Sequence, residues 1–203
     1  MKGAVRVVAV SDLHADGAAA RALVAASRGA DLVVGAGDFC NQRHGLAAAM
    51  APLEVIEGPF VAVPGNAESA AELRAAAPWA HVLHGSACTM AGLRIAGLGY
   101  AVPPTPFGAW SCDLDEATAA AMLDDIAAAD LLITHSPPRG IADTSSTGQS
   151  VGSRAIHAAI GRLAPALAVC GHVHDSWRCG GWIGATRVVN LGPVPSVFGM
   201  EAA

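Results

Sequence analysis

Five short apolar runs punctuate the chain: Arg6 to Val10, Leu32 to Gly35, Phe60 to Val63, Leu131 to Thr134 and Ala166 to Cys170. Each is too short for a stable helix and rich in aliphatic or β-branched residues, which predicts a buried strand. Stretches rich in alanine at Ala18 to Ser27, Leu46 to Leu53, Ala70 to Ala77, Asp115 to Ala128 and Ser153 to Leu163 stand between them and read as helices. This alternation predicts an α/β chain with one mixed sheet or a pair of sheets. Strand ends in such folds converge on one edge, where ligands bind. Nearly every chemically interesting residue lies just past the end of a run, so five separate segments are expected to meet at one place.

Elsewhere the pattern is plainer. Cys88 to Leu98 reads as a tight hairpin, and a further strand pair is expected after Asp175, ending in Thr186 to Asn190. Ser136 to Gly152, rich in Pro, Ser, Thr and Gly, is the longest irregular stretch, and its length suggests a functional loop. At 203 residues the chain suits one domain over 1–203. Apolar residues make up 53% and charged residues 14%, with a net charge of -5, which argues against a nucleic-acid polymer as partner because phosphate neutralisation needs a basic face. No apolar stretch is long enough to span a membrane, and the start, Met1 to Val10, does not read as a secretory leader. The five cysteines lack CxxC spacing and read mostly as small buried hydrophobes in a reducing, cytoplasmic setting. Oligomeric state is not legible.

The strand ends carry the chemistry. The first run closes on Asp12-Leu13-His14, where residues two apart in extended backbone project to the same side. The second closes on Gly37-Asp38, the third on Gly65-Asn66, the fourth on His135, and the fifth on Gly171-His172-Val173-His174. Any one of these pairs occurs by chance in many proteins. All five in this order, each after a strand, make a ligand set of carboxylate, imidazole and amide. That mixture suits Mn²⁺, Fe²⁺, Zn²⁺ or Ni²⁺ better than Mg²⁺ or Ca²⁺. A shared carboxylate such as Asp38 is the kind of bridge that holds two ions roughly 3.5–4 Å apart.

In this order the motifs resemble the calcineurin-like metallophosphoesterase superfamily, whose signature is D-x-H, G-D, G-N-x-[DE], H and G-H-x-H. His135-Ser136-Pro137-Pro138 and Val189-Asn190-Leu191-Gly192-Pro193 are similar to a small bacterial and archaeal branch. The resemblance implies a four-layer α/β/β/α sandwich of two mixed sheets flanked by helices. It also implies a two-metal phosphoester hydrolase, a phosphodiesterase by preference, with a metal-bridging hydroxide as nucleophile. Asp12, His14, Asp38 and His174 would hold one ion, and Asp38, Asn66, His135 and His172 the other, with a small phosphoester as substrate.

One position departs from the family. Many members carry His after the Asn, where it contacts phosphate and protonates the leaving oxygen; this chain has Ala67, which donates nothing from its side chain. The loop after Asp38 offers replacements: His44 as a proton donor near neutral pH and Arg43 as a phosphate contact beside Asn66. Arg139 is a further candidate for substrate contact. Glu68 matches the family's acidic position and is expected to orient neighbours rather than bind metal. Trp177 and Trp182 are expected to pack in the C-terminal hairpin, and Trp110 to wall the cleft. Two rival readings stand beside the hydrolase: a non-catalytic scaffold for protein partners, which the intact set of ligands disfavours, and a cyclic-nucleotide phosphodiesterase, which the missing His disfavours.

Overall fold

The computed structural model describes residues 4–201; residues 1–3 and 202–203, which the expectations for the chain start and for one domain over 1–203 include, lie outside the described residues. The first sheet is built from β1 (Val5–Val10), β2 (Leu32–Gly35), β3 (Phe60–Ala62), β4 (His81–Val82) and β11 (Ser196–Met200), in the order β11-β1-β2-β3-β4. The second contains β5 (Ser86–Met90), β6 (Leu93–Leu98), β7 (Leu131–Thr134), β8 (Leu167–Cys170), β9 (Gly180–Ile183) and β10 (Thr186–Asn190), in the order β5-β6-β7-β8-β10-β9. Both are mixed: β1 to β4 run parallel, as do β6, β7, β8 and β10, and the antiparallel strands β11, β5 and β9 lie at sheet edges.

Period-two alternation along the strands sorts side chains into layers. In β1, Val7 and Ala9 meet Ile133 and Val169 of the other sheet, while Val8 and Val10 face α1 (Gly17–Ala26), α2 (Leu46–Met50) and α3 (Ala70–Ala76). The outer face of the second sheet, through Ala96, Leu98 and Leu132, packs on α4 (Glu116–Asp124) and α5 (Arg154–Leu163). Two sheets are thus pressed face to face with helices outside, the four-layer α/β/β/α arrangement. Among the described residues, no helix is long and apolar enough to cross a membrane.

Three elements differ from the sequence reading for physical reasons. The helix expected over Leu46 to Leu53 is α2 followed by a 3-10 turn at Ala51–Leu53, because Pro52 cannot continue an α-helical ladder. The helix expected to Ala128 ends at Asp124, where Asp124 and Asp125 put negative charge on the negative end of the helix dipole. Arg162 then donates to the carbonyls of Leu123 and Ile126 around that end, placing a cation there. Strand β11 has no counterpart among the expected elements: Pro193 and Pro195 precede it and Gly199 lies within it, yet it pairs with β1 from Val5↔Met200 to Ala9↔Ser196.

His84, just after β4, shows how burial sets a pH limit on this fold. Its Nδ1 accepts from the Gly99 N–H at 3.2 Å and its ring lies 4.2 Å from that of Tyr100. Burial, and then the Arg74 cation, push its pKa down to about 4 from 6.5. The folded state therefore resists a proton that the unfolded chain takes up near 6.5. Stability from this group is full above pH 6.5 and is lost as pH falls towards 4. Discounted for the water that reaches the ring, the loss is about 1–2 kcal/mol. Melting metal-free protein from about pH 7 to pH 4 should show a steeper fall for wild type than for His84→Asn, and equal slopes would dismiss the assignment.

Candidate metal centre

The loops after β1 and β2 stay side by side beyond the sheet. Asp12 N–H donates to Gly37 O, His14 N–H to Asp38 O and Ala15 N–H to Phe39 O, all within 2.8–2.9 Å. Asp12, His14, Asp38 and His172 all hold left-handed backbone, with φ of 53°, 45°, 57° and 68°. Such conformations cost a non-glycine residue about 1 kcal/mol or more and gather at functional sites. The motif glycines answer a second demand, close approach. A Cβ on Gly65 would strike the Asp38 carboxylate, and one on Gly171 would strike the carboxylate of Asp12.

The side chains then converge. Donor atoms of Asp12, His14 and His174 lie within 4.8 Å of one another, and so do those of Asp12, Asp38 and His135. His14 Nε2 is 3.1 Å from His174 Nε2 and 3.7 Å from Asp38 Oδ2, and His174 Nε2 is 3.7 Å from Asp12 Oδ1. His135 Nε2 stands 3.1 Å from Asn66 Oδ1 and 3.4 Å from Asp38 Oδ1. The His172 ring packs against that of His135, centroids 4.9 Å apart. All seven residues named from the sequence are brought to this one place.

The donor set fits a cation because acceptors face acceptors. His135 Nδ1 reaches the Ala36 carbonyl at 2.8 Å and His14 Nδ1 the Cys40 carbonyl at 3.3 Å. A carbonyl only accepts, so Nδ1 carries the proton in both rings and Nε2 presents a lone pair. Those lone pairs point at carboxylate and amide oxygens, an arrangement that needs either a proton or a metal ion between them. Charge separates the imidazoles accordingly. Burial opposes a proton on His135, but the Asp38 and Asp12 carboxylates outweigh it and raise its pKa. Burial, then the neighbouring His135, pushes His172 down to about 3, leaving it neutral, the form in which an imidazole can bind a metal. His174 is also lowered, by burial first, against the pull of Asp12.

Further residues hold this cluster, and Trp177 and Ser11 have no such role in the sequence reading. Trp177 does not simply pack in the hairpin: its Nε1 donates to Asp12 Oδ2 at 3.1 Å and its ring lies 4.3 Å from that of His174. Asp12 Oδ2 also accepts from Ser11 Oγ at 2.6 Å, and the His172 N–H lies within 3.2 Å of both carboxylate oxygens. Asn190 Nδ2 donates to the carbonyls of Gly171 and Val173, fixing the segment that carries His172 and His174. Glu68 is fully buried with four backbone N–H groups on its carboxylate, from Asp38, Phe39, Cys40 and Gly65. Burial and the Asp38 charge push its pKa up to about 7, while the N–H groups of Gly65 and Cys40 pull it back.

Other candidates lie farther out. The Arg43 guanidinium is bonded to Glu72 Oε1 at 2.7 Å and borders a cavity of about 320 Å³ between α2 and α3 rather than the ligand cluster. His44 is exposed on the turn Asn41–His44, and Arg139 is exposed as well. Ala67 is buried in the core beneath α2 and α3, and its N–H donates to Asp38 Oδ1 at 2.8 Å. Trp110 packs against that same core and stacks on Phe107 with centroids 5.6 Å apart. Trp182 sits in the β9–β10 hairpin but is 65% exposed. The loop over 136–152 is organised by Asp143, which accepts from Gly140 N, Gly152 N and Ser150 Oγ.

The sequence model of the calcineurin-like phosphoesterase superfamily domain matches residues 5–201. No curated protein matches the chain. Among solved structures, TT1561 of Thermus thermophilus superposes with a TM-score of 0.71 at 17% identity, over 97% of this chain and 99% of that one. A dimetal phosphatase from Danio rerio gives 0.61 at 14% identity, over 95% and 89%. The phosphopantetheinyl hydrolase of Mycobacterium tuberculosis gives 0.59 at 15% identity, over 95% and 92%. At such identities these likenesses establish a shared fold.

Proposed function

Because the chain belongs to the calcineurin-like phosphoesterase superfamily, we propose that it is a two-metal phosphoester hydrolase, acting by preference on diesters or on monoesters with good leaving groups. The observation that carries this reading is the convergence of two buried carboxylates with imidazole and amide acceptors, several of them on left-handed backbone. Asp12, His14, Asp38 and His174 would hold one divalent ion, and Asp38, Asn66, His135 and His172 a second. Bound there, such ions supply Lewis acidity and a water that ionises near neutral pH.

The chain's own residues set what the site accepts. Only two of the seven donors carry negative charge, so the loaded site keeps a net positive charge and favours a phosphate anion although the protein has a net charge of -5. Asp38 faces both halves of the cluster, through Oδ1 towards His135 and Oδ2 towards His14, as a bridging carboxylate must. Neutral His172 and Asn66 bind without adding charge. Ala67 offers no side-chain proton to a leaving group, and a general acid is typically worth about 10²–10⁴-fold. The substrates favoured are therefore those whose leaving oxygen needs little help, and exposed His44 in the loop after Asp38 is the candidate proton donor. A cytoplasmic setting and a small-molecule substrate accord with the reading.

The test uses protein stripped with chelator and reloaded separately with Mn²⁺, Fe²⁺, Zn²⁺ or Ni²⁺. Turnover of bis-nitrophenyl phosphate is expected with at least one ion, accompanied by about two metals per chain in elemental analysis. Absence of turnover with every one of these ions, or failure to retain any metal, would sink the proposal and favour a scaffold.

A further inference from the structure

The two ends of the Asn66 amide have the same shape and opposite chemistry, so groups outside it must decide which end meets the ligand cluster. Asn66 is 2% exposed, and its Nδ2 lies 3.1 Å from Ser111 Oγ. Ser111 Oγ in turn lies 2.7 Å from Asp113 Oδ1. Thr105 Oγ1 completes the group, 3.0 Å from Ser111 Oγ and 3.3 Å from each Asp113 oxygen.

The carboxylate sets the direction of the bond from Ser111. Asp113 can only accept, so the single hydroxyl proton of Ser111 is committed to it. Ser111 Oγ then has lone pairs alone to offer Asn66, and only an NH₂ group can use them. The amide is thereby turned with Nδ2 outward and Oδ1 inward, towards His135 Nε2 at 3.1 Å. A main-chain bond ties the two segments together, since the Cys112 N–H donates to the backbone carbonyl of Asn66 at 2.9 Å.

We propose that Ser111 and Asp113 are positioning residues that present Asn66 Oδ1 as a metal ligand, making the loop after β6 part of the metal site's specification. This rests on the two-metal reading above. It acts on one ion only, the one shared by Asp38, Asn66, His135 and His172, because Asn66 Oδ1 faces His135 Nε2, which itself faces Asp38 Oδ1.

Calorimetric titration of metal-free protein with Mn²⁺ tests it. Ser111→Ala removes the acceptor. Asp113→Asn keeps the size of the side chain but can donate to Ser111, which frees the hydroxyl proton to turn towards Asn66 and lets the amide flip. Both variants should bind one of two Mn²⁺ ions with wild-type affinity and the other about 10–100-fold more weakly, the usual effect of losing an outer hydrogen bond to a ligand. Unchanged affinity at both sites in both variants would overturn the inference while leaving the two-metal reading intact. So would an equal loss at both sites, which is general loosening. The titration is repeated with Fe²⁺, Zn²⁺ and Ni²⁺ where wild type takes no Mn²⁺, and wild-type protein that binds none of the four would remove the underlying reading, and the inference with it.

Discussion

Asp38→Asn is expected to lower phosphoester turnover by about 10³-fold or more while leaving the protein folded. The substitution is almost isosteric, and Asn is one of the few residues that tolerates the left-handed backbone found here, φ 57°. The amide oxygen can keep the bond from the Ala67 N–H at 2.8 Å. Its NH₂ must then replace Oδ2 on the side of His14 Nε2, where an acceptor stood at 3.7 Å. Shape is retained, and a carboxylate that faces both His135 and His14 is lost. Elemental analysis should fall from about two metals per chain to one or none. Metal-free variant and metal-free wild type should melt within a few degrees of each other, because relief of repulsion from buried Glu68 opposes loss of attraction to His135. Turnover within about tenfold of wild type would take Asp38 out of the chemistry.

Which parts of this arrangement can be read from sequence follows from how local their determinants are. Asp12 and His14 are two residues apart just past a strand end, and Gly65 directly precedes Asn66, so motif spacing suffices to single them out, although Asp12 and His14 hold left-handed backbone rather than the extended geometry expected of them. The strand cores are equally legible, since Leu32–Gly35 and Leu131–Thr134 are uninterrupted apolar runs buried on both faces. The supports of the site have no such signature. Trp177 reaches Asp12 across 165 positions and Ser111 reaches Asn66 across 45. No periodicity links residues that meet only because two sheets are pressed together. Strand β11 is hidden for a related reason. Its register is imposed by pairing with β1 and not by its own pattern, in which exposed Val197 and interior Gly199 weaken the alternation. Helix α4 shows the converse: composition predicts helix to Ala128, and local charge ends it earlier.

Glu68→Gln should damage the fold severely while leaving every candidate ligand in place. Each carboxylate oxygen serves two backbone donors. Oε1 accepts from Asp38 N at 2.8 Å and Gly65 N at 2.7 Å, and Oε2 from Phe39 N at 3.1 Å and Cys40 N at 3.3 Å. Gln keeps the volume, but whichever way its amide is flipped, the NH₂ must face two N–H groups. Those two donors are buried with no other acceptor to turn to, and each unsatisfied buried group costs about 1–3 kcal/mol, so the sum is about 2–6 kcal/mol. In a chain of this size that corresponds to a fall in melting temperature of roughly 5–20 °C. The loops after β2 and β3, which carry Asp38 and Asn66, are joined through this one carboxylate, so metal affinity should fall together with stability. Glu68→Asp keeps both acceptors on a shorter stem and should recover part of each loss. Differential scanning calorimetry of metal-free protein separates the possibilities. A Gln variant that melts with wild type would mean that the four N–H groups are satisfied in some other way, and that Glu68 does not tie the two ligand loops together.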